Sequence, residues 1–113
     1  MGFHEHVELQ VMEDGTVVLD AAEQHLNRGG TVHGGVLATM IDTAMGAAVF
    51  AGTDKAPVTV ALTVTYLEPG QPGRLEATAR VRKRGKRLTV VEAEVVQDGD
   101  VVADALATFA TVG

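Results

Sequence analysis

Apolar and polar residues alternate through most of this chain, which is typical of half-buried β-strands. In residues 6–20, HVELQVMEDGTVVLD, the apolar residues Val7, Leu9 and Val11 alternate with polar neighbours, and Asp14-Gly15 is a turn signal, so this segment predicts a hairpin. Further alternating segments, separated by turn residues, cover residues 58–67, 75–83, 88–96 and 101–112. The last segment has some helical propensity, but its short length and the preceding Asp-Gly turn favour a strand. The pattern predicts five or six antiparallel strands.

Residues 36–51 follow a different period, with apolar side chains at three- and four-residue spacing, and so predict one helix. Its polar residues share a narrow stripe: Thr39, Asp42, Thr43 and Gly46. The rest of its surface is apolar, which indicates a helix buried on most sides. A helix between the second and third strands of an antiparallel sheet gives the α+β class, and residues 1–113 form a single domain.

A sheet curled around one helix has a small core and two exposed edges. Pairing of two sheets edge to edge would enlarge the core and cover an edge. We therefore expect a homo-oligomer, formed by pairing into a dimer, before any resemblance is considered.

The composition excludes several classes of active site. The 113 residues include no cysteine and no serine, which excludes thiolate metal sites, a cysteine nucleophile and a serine hydrolase triad. The formal net charge of −6 disfavours nucleic acid as a partner. No apolar run is long enough to cross a membrane, and the acidic N-terminus is not typical of a signal peptide, so we expect a cytoplasmic protein.

The predicted helix begins with the sequence His33-Gly34-Gly35. The first N–H groups of a helix lack intrahelical partners and carry partial positive charge. Because glycine has no side chain, a ligand oxygen can approach these groups closely, so Gly34 and Gly35 are candidates to bind a substrate carbonyl and stabilise an oxyanion. Alternatively, the two glycines only permit a tight turn into the helix.

Asp42 is the one charged residue between Gly34 and Gly52. Burial of an unpaired carboxylate is costly, so its presence there indicates pairing or catalysis. It lies about 10 to 12 Å along the axis from the helix start, too far to act on a carbonyl held at its own helix N-terminus, but in a two-fold dimer the partner's copy could face that point. The alternative is a polar strip in which Asp42 bonds to Thr39 or Thr43.

Histidine and asparagine side chains precede the helix. His33 is a candidate ligand anchor, proton donor or hydrogen-bonding residue of the helix start, and Asn27 offers both donors and an acceptor in the same loop. His4 and His6 share one face of the first predicted strand, but no third ligand accompanies them. We therefore predict no metal site.

The run RVRKRGKR, residues 80–87, holds six of the nine lysines and arginines. Alternation predicts that three arginines share one strand face: Arg80, Arg82 and Arg84. The glycine turn brings Lys86 and Arg87 nearby. Such a cluster on an acidic protein is either a solvated hairpin or a clamp for a small phosphorylated ligand.

The motif Asn27-x-x-Gly30-x-x-His33-Gly34-Gly35 with Asp42 downstream resembles the hotdog-fold acyl-CoA thioesterases of the phenylacetic-acid-degradation (PaaI-like) type, and the likeness extends from about Val7 to the C-terminus. The resemblance implies a sheet wrapped around one long helix, with sheets joined across a dimer that often pairs again into a dimer of dimers. It implies that the Gly34 N–H polarises the thioester carbonyl, that Asp42 of the opposing subunit is general base or nucleophile, and that Asn27, His33 and Thr59 assist.

The resemblance also implies that coenzyme A enters as part of the substrate rather than as a cofactor, with Arg84, Lys86 and Arg87 as candidates to meet its phosphates. The expected reaction is hydrolysis of a small aromatic or medium-chain acyl-CoA to a free acid and coenzyme A. Two alternatives remain: a non-catalytic acyl-CoA binding module, and a hotdog hydratase or dehydratase.

Overall fold

The computed structural model describes residues 7–112. Six antiparallel strands form one sheet in the order β1-β2-β4-β5-β6-β3, and the helix α1 lies between β2 and β3 in the chain. The elements are β1 (Gln10–Val11), β2 (Val17–Ala21), a 3-10 turn (Glu23–His25), α1 (Gly34–Phe50), β3 (Ala56–Tyr66), β4 (Gly73–Arg84), β5 (Leu88–Gln97) and β6 (Asp100–Val112). The predicted α+β class and the count of strands are confirmed.

The core lies between α1 and the inner face of the curled sheet. From the helix it takes the residues at three- and four-residue spacing: Leu37, Met40, Ile41, Ala44, Met45 and Val49. Small and branched side chains of the central strands pack against them, such as Ala77, Val91 and Ala107. The rest of the helix surface is half-buried or exposed in one protomer. Of the helices in residues 7–112, none is long and apolar enough to cross a bilayer.

The predicted hairpins form, although the first is shorter than its alternation indicates. Glu8 has a φ of 67°, which takes the chain out of the extended conformation, so β1 has only two residues. Between β5 and β6, Asp98 and Gly99 both have positive φ, 52° and 84°. This is the two-residue turn geometry that joins twisted strands.

Two of the three register shifts in the described part of the sheet turn candidate residues to the face opposite the one that alternation predicts. In β3 the register shifts between Thr59 and Ala61, so Val60 is the extra residue and Thr59 turns to the same face as Leu62 and Val64, the face that covers the helix. Strict alternation places Thr59 on the opposite face from Leu62, and that prediction is wrong. Val58 and Val60 are instead 46% and 58% exposed.

The second bulge lies in β4, where the register shifts between Val81 and Lys83. Arg84 pairs with the buried Thr89 and turns toward the helix, whereas Arg80 pairs with Glu92 on the outer face. The prediction that three alternating arginines of β4 share one face is therefore wrong for Arg84. Neither bulge has a local sequence signature, because no glycine marks it.

Candidate active site

The N-terminus of α1 is capped by the side chain of its preceding residue. Nδ1 of His33 accepts a hydrogen bond from the Gly35 N–H at 2.9 Å, and the His33 carbonyl accepts from the N–H groups of Val36 and Leu37. The Gly34 N–H has no hydrogen-bond acceptor within residues 7–112. The predicted carbonyl-binding donor at Gly34 is thus available, while the N–H of Gly35 is already bonded.

Asn27 stabilises the loop that leads to this cap. Its Oδ1 accepts from the Gly29 N–H at 2.9 Å and the Thr31 N–H at 3.3 Å, and its Nδ2 donates to the Thr31 hydroxyl at 3.0 Å. These bonds form an Asx-type turn, in which the side-chain amide replaces backbone partners. Within one protomer Asn27 therefore holds the loop, and its predicted contact with a thioester or a water stays a prediction.

Asp42 lies on the half-buried face of α1, opposite β3. Its Oδ1 accepts a hydrogen bond from the hydroxyl of Thr59 at 2.7 Å. Thr39, one of the two partners considered from the sequence, bonds instead to the Gly35 carbonyl. The bulge in β3 makes the contact between Asp42 and Thr59 possible, because it turns the threonine inward. The structure thus brings together two residues that are 17 positions apart in the sequence.

The carboxylate and the free N–H do not converge within one protomer. Gly34 and Asp42 lie on the same helix, about 12 Å apart along its axis at about 1.5 Å per residue. A carbonyl oxygen bonded to the Gly34 N–H is therefore out of reach of that protomer's own Asp42. The outer edge of β3 is unpaired in the described part of the chain, because β6 is its one neighbour in the sheet.

Tyr66 is a residue of this site that the sequence analysis missed. At the end of β3, its hydroxyl donates to the Gly34 carbonyl at 2.8 Å, and its side chain is 51% exposed. A cavity of about 410 Å³ opens beside it, lined mainly by apolar residues that include Leu37, Leu67 and Gly70. Tyr66 lies seven residues after Thr59 on the same strand, and this spacing does not predict its contact with Gly34 unless the register of the sheet is known.

The basic run divides between two faces. The Arg84 guanidinium lies over the C-terminal end of α1 and donates to the Val49 carbonyl at 3.0 Å and the Ala48 carbonyl at 3.4 Å. Lys86 and Arg87 are exposed, and their side chains make no hydrogen bond or ion pair within residues 7–112. Of the three predicted phosphate ligands, one therefore also caps a helix, and two are free to meet a ligand.

A larger hollow lies elsewhere on the described part of the chain. Its volume is about 620 Å³, and it follows the outer sheet face across β3, β6, β5 and β4. Arg80 and Arg82 of the basic run line it, but it contains neither the Gly34 N–H nor the Asp42 carboxylate. We therefore place the site at α1 and β3, where the free donor and the bonded carboxylate lie.

The thioesterase superfamily is the family whose model matches this chain, over residues 29–103. Mouse acyl-coenzyme A thioesterase 13 is 36% identical over 75 residues, which cover 65% of this chain and 54% of that protein. The chain thus spans about half the length of this relative.

Two solved structures are similar over nearly the whole chain. The PaaI protein of E. coli, from the phenylacetic acid degradation operon, has a TM-score of 0.90 at 31% identity, covering 98% of this chain and 84% of that one. A Bacillus halodurans protein solved with CoA has a TM-score of 0.89 at 32% identity, covering 97% and 75%.

Proposed function

Since this chain belongs to the thioesterase superfamily and has its hotdog fold, we propose that it hydrolyses an acyl-CoA thioester to a free acid and coenzyme A. The observation that carries the proposal is the carboxylate of Asp42, bonded to Thr59 on a helix whose N-terminus presents the free Gly34 N–H. These are the base or nucleophile and the oxyanion donor that hydrolysis of a thioester requires.

In the proposed reaction the thioester carbonyl oxygen accepts from the Gly34 N–H. Asp42 either takes a proton from the attacking water or attacks the carbonyl carbon itself. The tetrahedral oxyanion is stabilised by the same N–H, a kind of contact worth about 10²–10³ in rate. The C–S bond then breaks, and coenzyme A leaves as a thiolate that takes up the released proton. With Asp42 as nucleophile, water hydrolyses the resulting anhydride in a second step.

This chemistry requires two protomers. Since about 12 Å separate Gly34 and Asp42 on one helix, the carboxylate comes from a second copy whose α1 runs antiparallel beside the first. The unpaired edge of β3, with Val58 and Val60 exposed beside it, supports a dimer joined through that strand. A further pairing into a dimer of dimers, and a cytoplasmic location, stay predictions. Sedimentation velocity measures the oligomeric state directly.

The phosphates of coenzyme A are assigned to Arg84, Lys86 and Arg87 at the hairpin between β4 and β5. The two residues after the glycine carry unpaired charge and therefore suit a phosphate group. For the acyl group, the apolar cavity beside Tyr66 supports a small aromatic or medium-chain substrate. The PaaI protein of E. coli comes from a phenylacetic acid degradation operon, so phenylacetyl-CoA belongs in the test panel.

The test is thiol release from acetyl-, hexanoyl-, decanoyl-, benzoyl-, hydroxybenzoyl- and phenylacetyl-CoA, with wild-type protein and Asp42→Asn. Asparagine keeps an oxygen that accepts from Thr59 but removes the base and nucleophile, so kcat falls by about 10²-fold or more. The matched control is Asp98→Asn, which makes the same change in a turn where the left-handed conformation suits asparagine.

The control keeps the wild-type kcat if the loss is specific to Asp42. Binding of acyl-CoA without thiol release would favour the non-catalytic module, and hydration of an unsaturated acyl-CoA would favour the hydratase. Equal turnover by Asp42→Asn and wild type would overturn the mechanism.

A further inference from the structure

Tyr66 contacts the one peptide group that separates the proposed oxyanion donor from the body of the helix. We infer that Tyr66 is a positioning residue for catalysis, which holds the Gly34–Gly35 peptide so that the Gly34 N–H keeps the direction that the oxyanion requires. This inference rests on the proposed function, because it explains what aligns the Gly34 N–H, which is the oxyanion donor of the proposed reaction.

The Gly34–Gly35 peptide is held at both of its polar ends. Its carbonyl oxygen accepts from the Tyr66 hydroxyl at 2.8 Å, and its N–H donates to His33 Nδ1 at 2.9 Å. The preceding peptide, which carries the Gly34 N–H, is fixed at its oxygen by Val36 and Leu37 at 2.9 and 3.3 Å. Three of the four polar ends of these two peptides are therefore bonded, and the fourth is the donor.

Two consecutive glycines make such a clamp necessary. Glycine has the largest backbone freedom of any residue, so a helix that begins with Gly34-Gly35 does not by propensity hold its first peptides in one orientation. The glycine is needed for a close approach, because a Cβ at Gly34 would lie 3.3 Å from the Tyr66 ring. The tyrosine thus supplies, through its ring and its hydroxyl, the constraint that a side chain at position 34 would give.

Burial does not explain why the Tyr66 hydroxyl bonds to the Gly34 carbonyl. Its side chain is half exposed, so its polar atom could bond to water as well as to the protein. The end of β3 instead places the ring on the inner face with Leu62 and Val64, so that it points at the start of α1. The contact therefore acts on the orientation of the helix N-terminus more than on the burial of apolar surface.

Loss of the hydroxyl should lower kcat and leave substrate binding almost unchanged. A misaligned oxyanion donor weakens the transition state more than the ground state, because negative charge on the oxygen develops during the attack. For Tyr66→Phe, which keeps the ring against Gly34, we expect a fall in kcat of about 3- to 10-fold, the value of one hydrogen bond, with KM within about twofold of wild type.

The matched control is Thr39→Val. The Thr39 hydroxyl donates to the Gly35 carbonyl at 2.7 Å, so this variant removes a similar hydroxyl–carbonyl bond from the next peptide of the same helix. It leaves the Gly34–Gly35 peptide bonded on both sides. We expect its kcat to stay within about twofold of wild type, because this bond does not contact the donor's neighbouring peptide. Urea unfolding midpoints of both variants show whether either change loosens the whole domain.

A spectroscopic measurement separates positioning from general stability. In the Asp42→Asn background, the acyl-CoA of the panel with the highest kcat/KM is bound with an isotope-labelled thioester carbonyl, and the infrared difference spectrum reports its stretching frequency. The Gly34 N–H lowers this frequency by polarising the carbonyl. Addition of Tyr66→Phe moves it back toward the free value if the hydroxyl aligns the donor.

The outcomes distinguish this inference from the proposed function. If wild-type protein releases no thiol from any acyl-CoA of the panel, or if Asp42→Asn turns over normally, the proposed function fails. If Asp42→Asn is inactive while Tyr66→Phe keeps the wild-type kcat and carbonyl frequency, the inference alone is overturned. An equal fall of kcat in Tyr66→Phe and Thr39→Val would also overturn it, because any loosening of the helix start would then suffice.

Discussion

The Arg84 guanidinium caps the C-terminal end of α1, and its contacts there allow the loss of unfolding free energy on its removal to be predicted. Arg84 reaches across from β4 and donates to the Val49 carbonyl at 3.0 Å, with a second, weaker contact to Ala48 at 3.4 Å. The last carbonyls of a helix lack intrahelical donors and carry partial negative charge. A guanidinium there supplies both a hydrogen-bond donor and a compensating positive charge. Arg84→Met keeps the apolar length of the side chain and removes its donors and charge.

We expect Arg84→Met to lower the free energy of unfolding by about 1–2 kcal/mol, counting one good charge-assisted bond and the helix dipole and discounting for solvent exposure. For a domain of about this size, about 4 °C of melting temperature corresponds to each kcal/mol. Gly52→Ala should reproduce much of the loss, because its Cβ would lie 2.5 Å from the guanidinium and displace it.

The assay is urea unfolding followed by helical circular dichroism, at one protein concentration because self-association adds to stability. Lys86→Met and Arg87→Met are the controls, since each removes one charge from the same hairpin without breaking a bond within residues 7–112. Their unfolding midpoints should stay near wild type, while their KM for acyl-CoA rises if they bind phosphate. An unfolding midpoint of Arg84→Met equal to those of the controls would refute the capping role.

Three further predictions concern the acid, the dimer edge and pH. Thr59→Val removes the bond to Asp42 and should lower kcat by about tenfold, as measured by thiol release, whereas Thr59→Ser keeps it. Val60→Lys places a charge at the exposed edge of β3 and should shift sedimentation toward monomer, with activity falling on dilution. Hydrogen bonds from the backbone and side chain of Thr16 lower the pKa of Asp14 below its ordinary 3.8. The stabilisation from this lowered pKa is present at pH values above the ordinary pKa of an aspartate, and it is lost as the pH falls through the folded-state pKa. In that pH range the urea unfolding midpoint of Asp14→Asn should therefore change less with pH than that of wild type.

Much of the fold and of the candidate site follows from local patterns. The period of apolar residues predicts the helix and the strands, because one buried face repeats every 3.6 residues in a helix and every 2 in a strand. The family is predicted from the spacing of Asn27, His33, Gly34 and Asp42, and this prediction is confirmed. The spacing can be recognised in the sequence because the loop, the cap and the helix are contiguous in the chain. Asp42 stands out because a carboxylate inside an apolar helix requires a partner or a function.

The contacts between elements could not be predicted in this way. The bulge at Val60 turns Thr59 toward Asp42, and the bulge in β4 turns Arg84 toward the end of α1, each against the alternation of its own strand. One extra residue reverses the face of every side chain before it, and where it is inserted depends on the register with the neighbouring strand rather than on the residue itself. The contact of Tyr66 with Gly34 also depends on tertiary structure, because the end of β3 meets the start of α1 only after the sheet has curled around the helix.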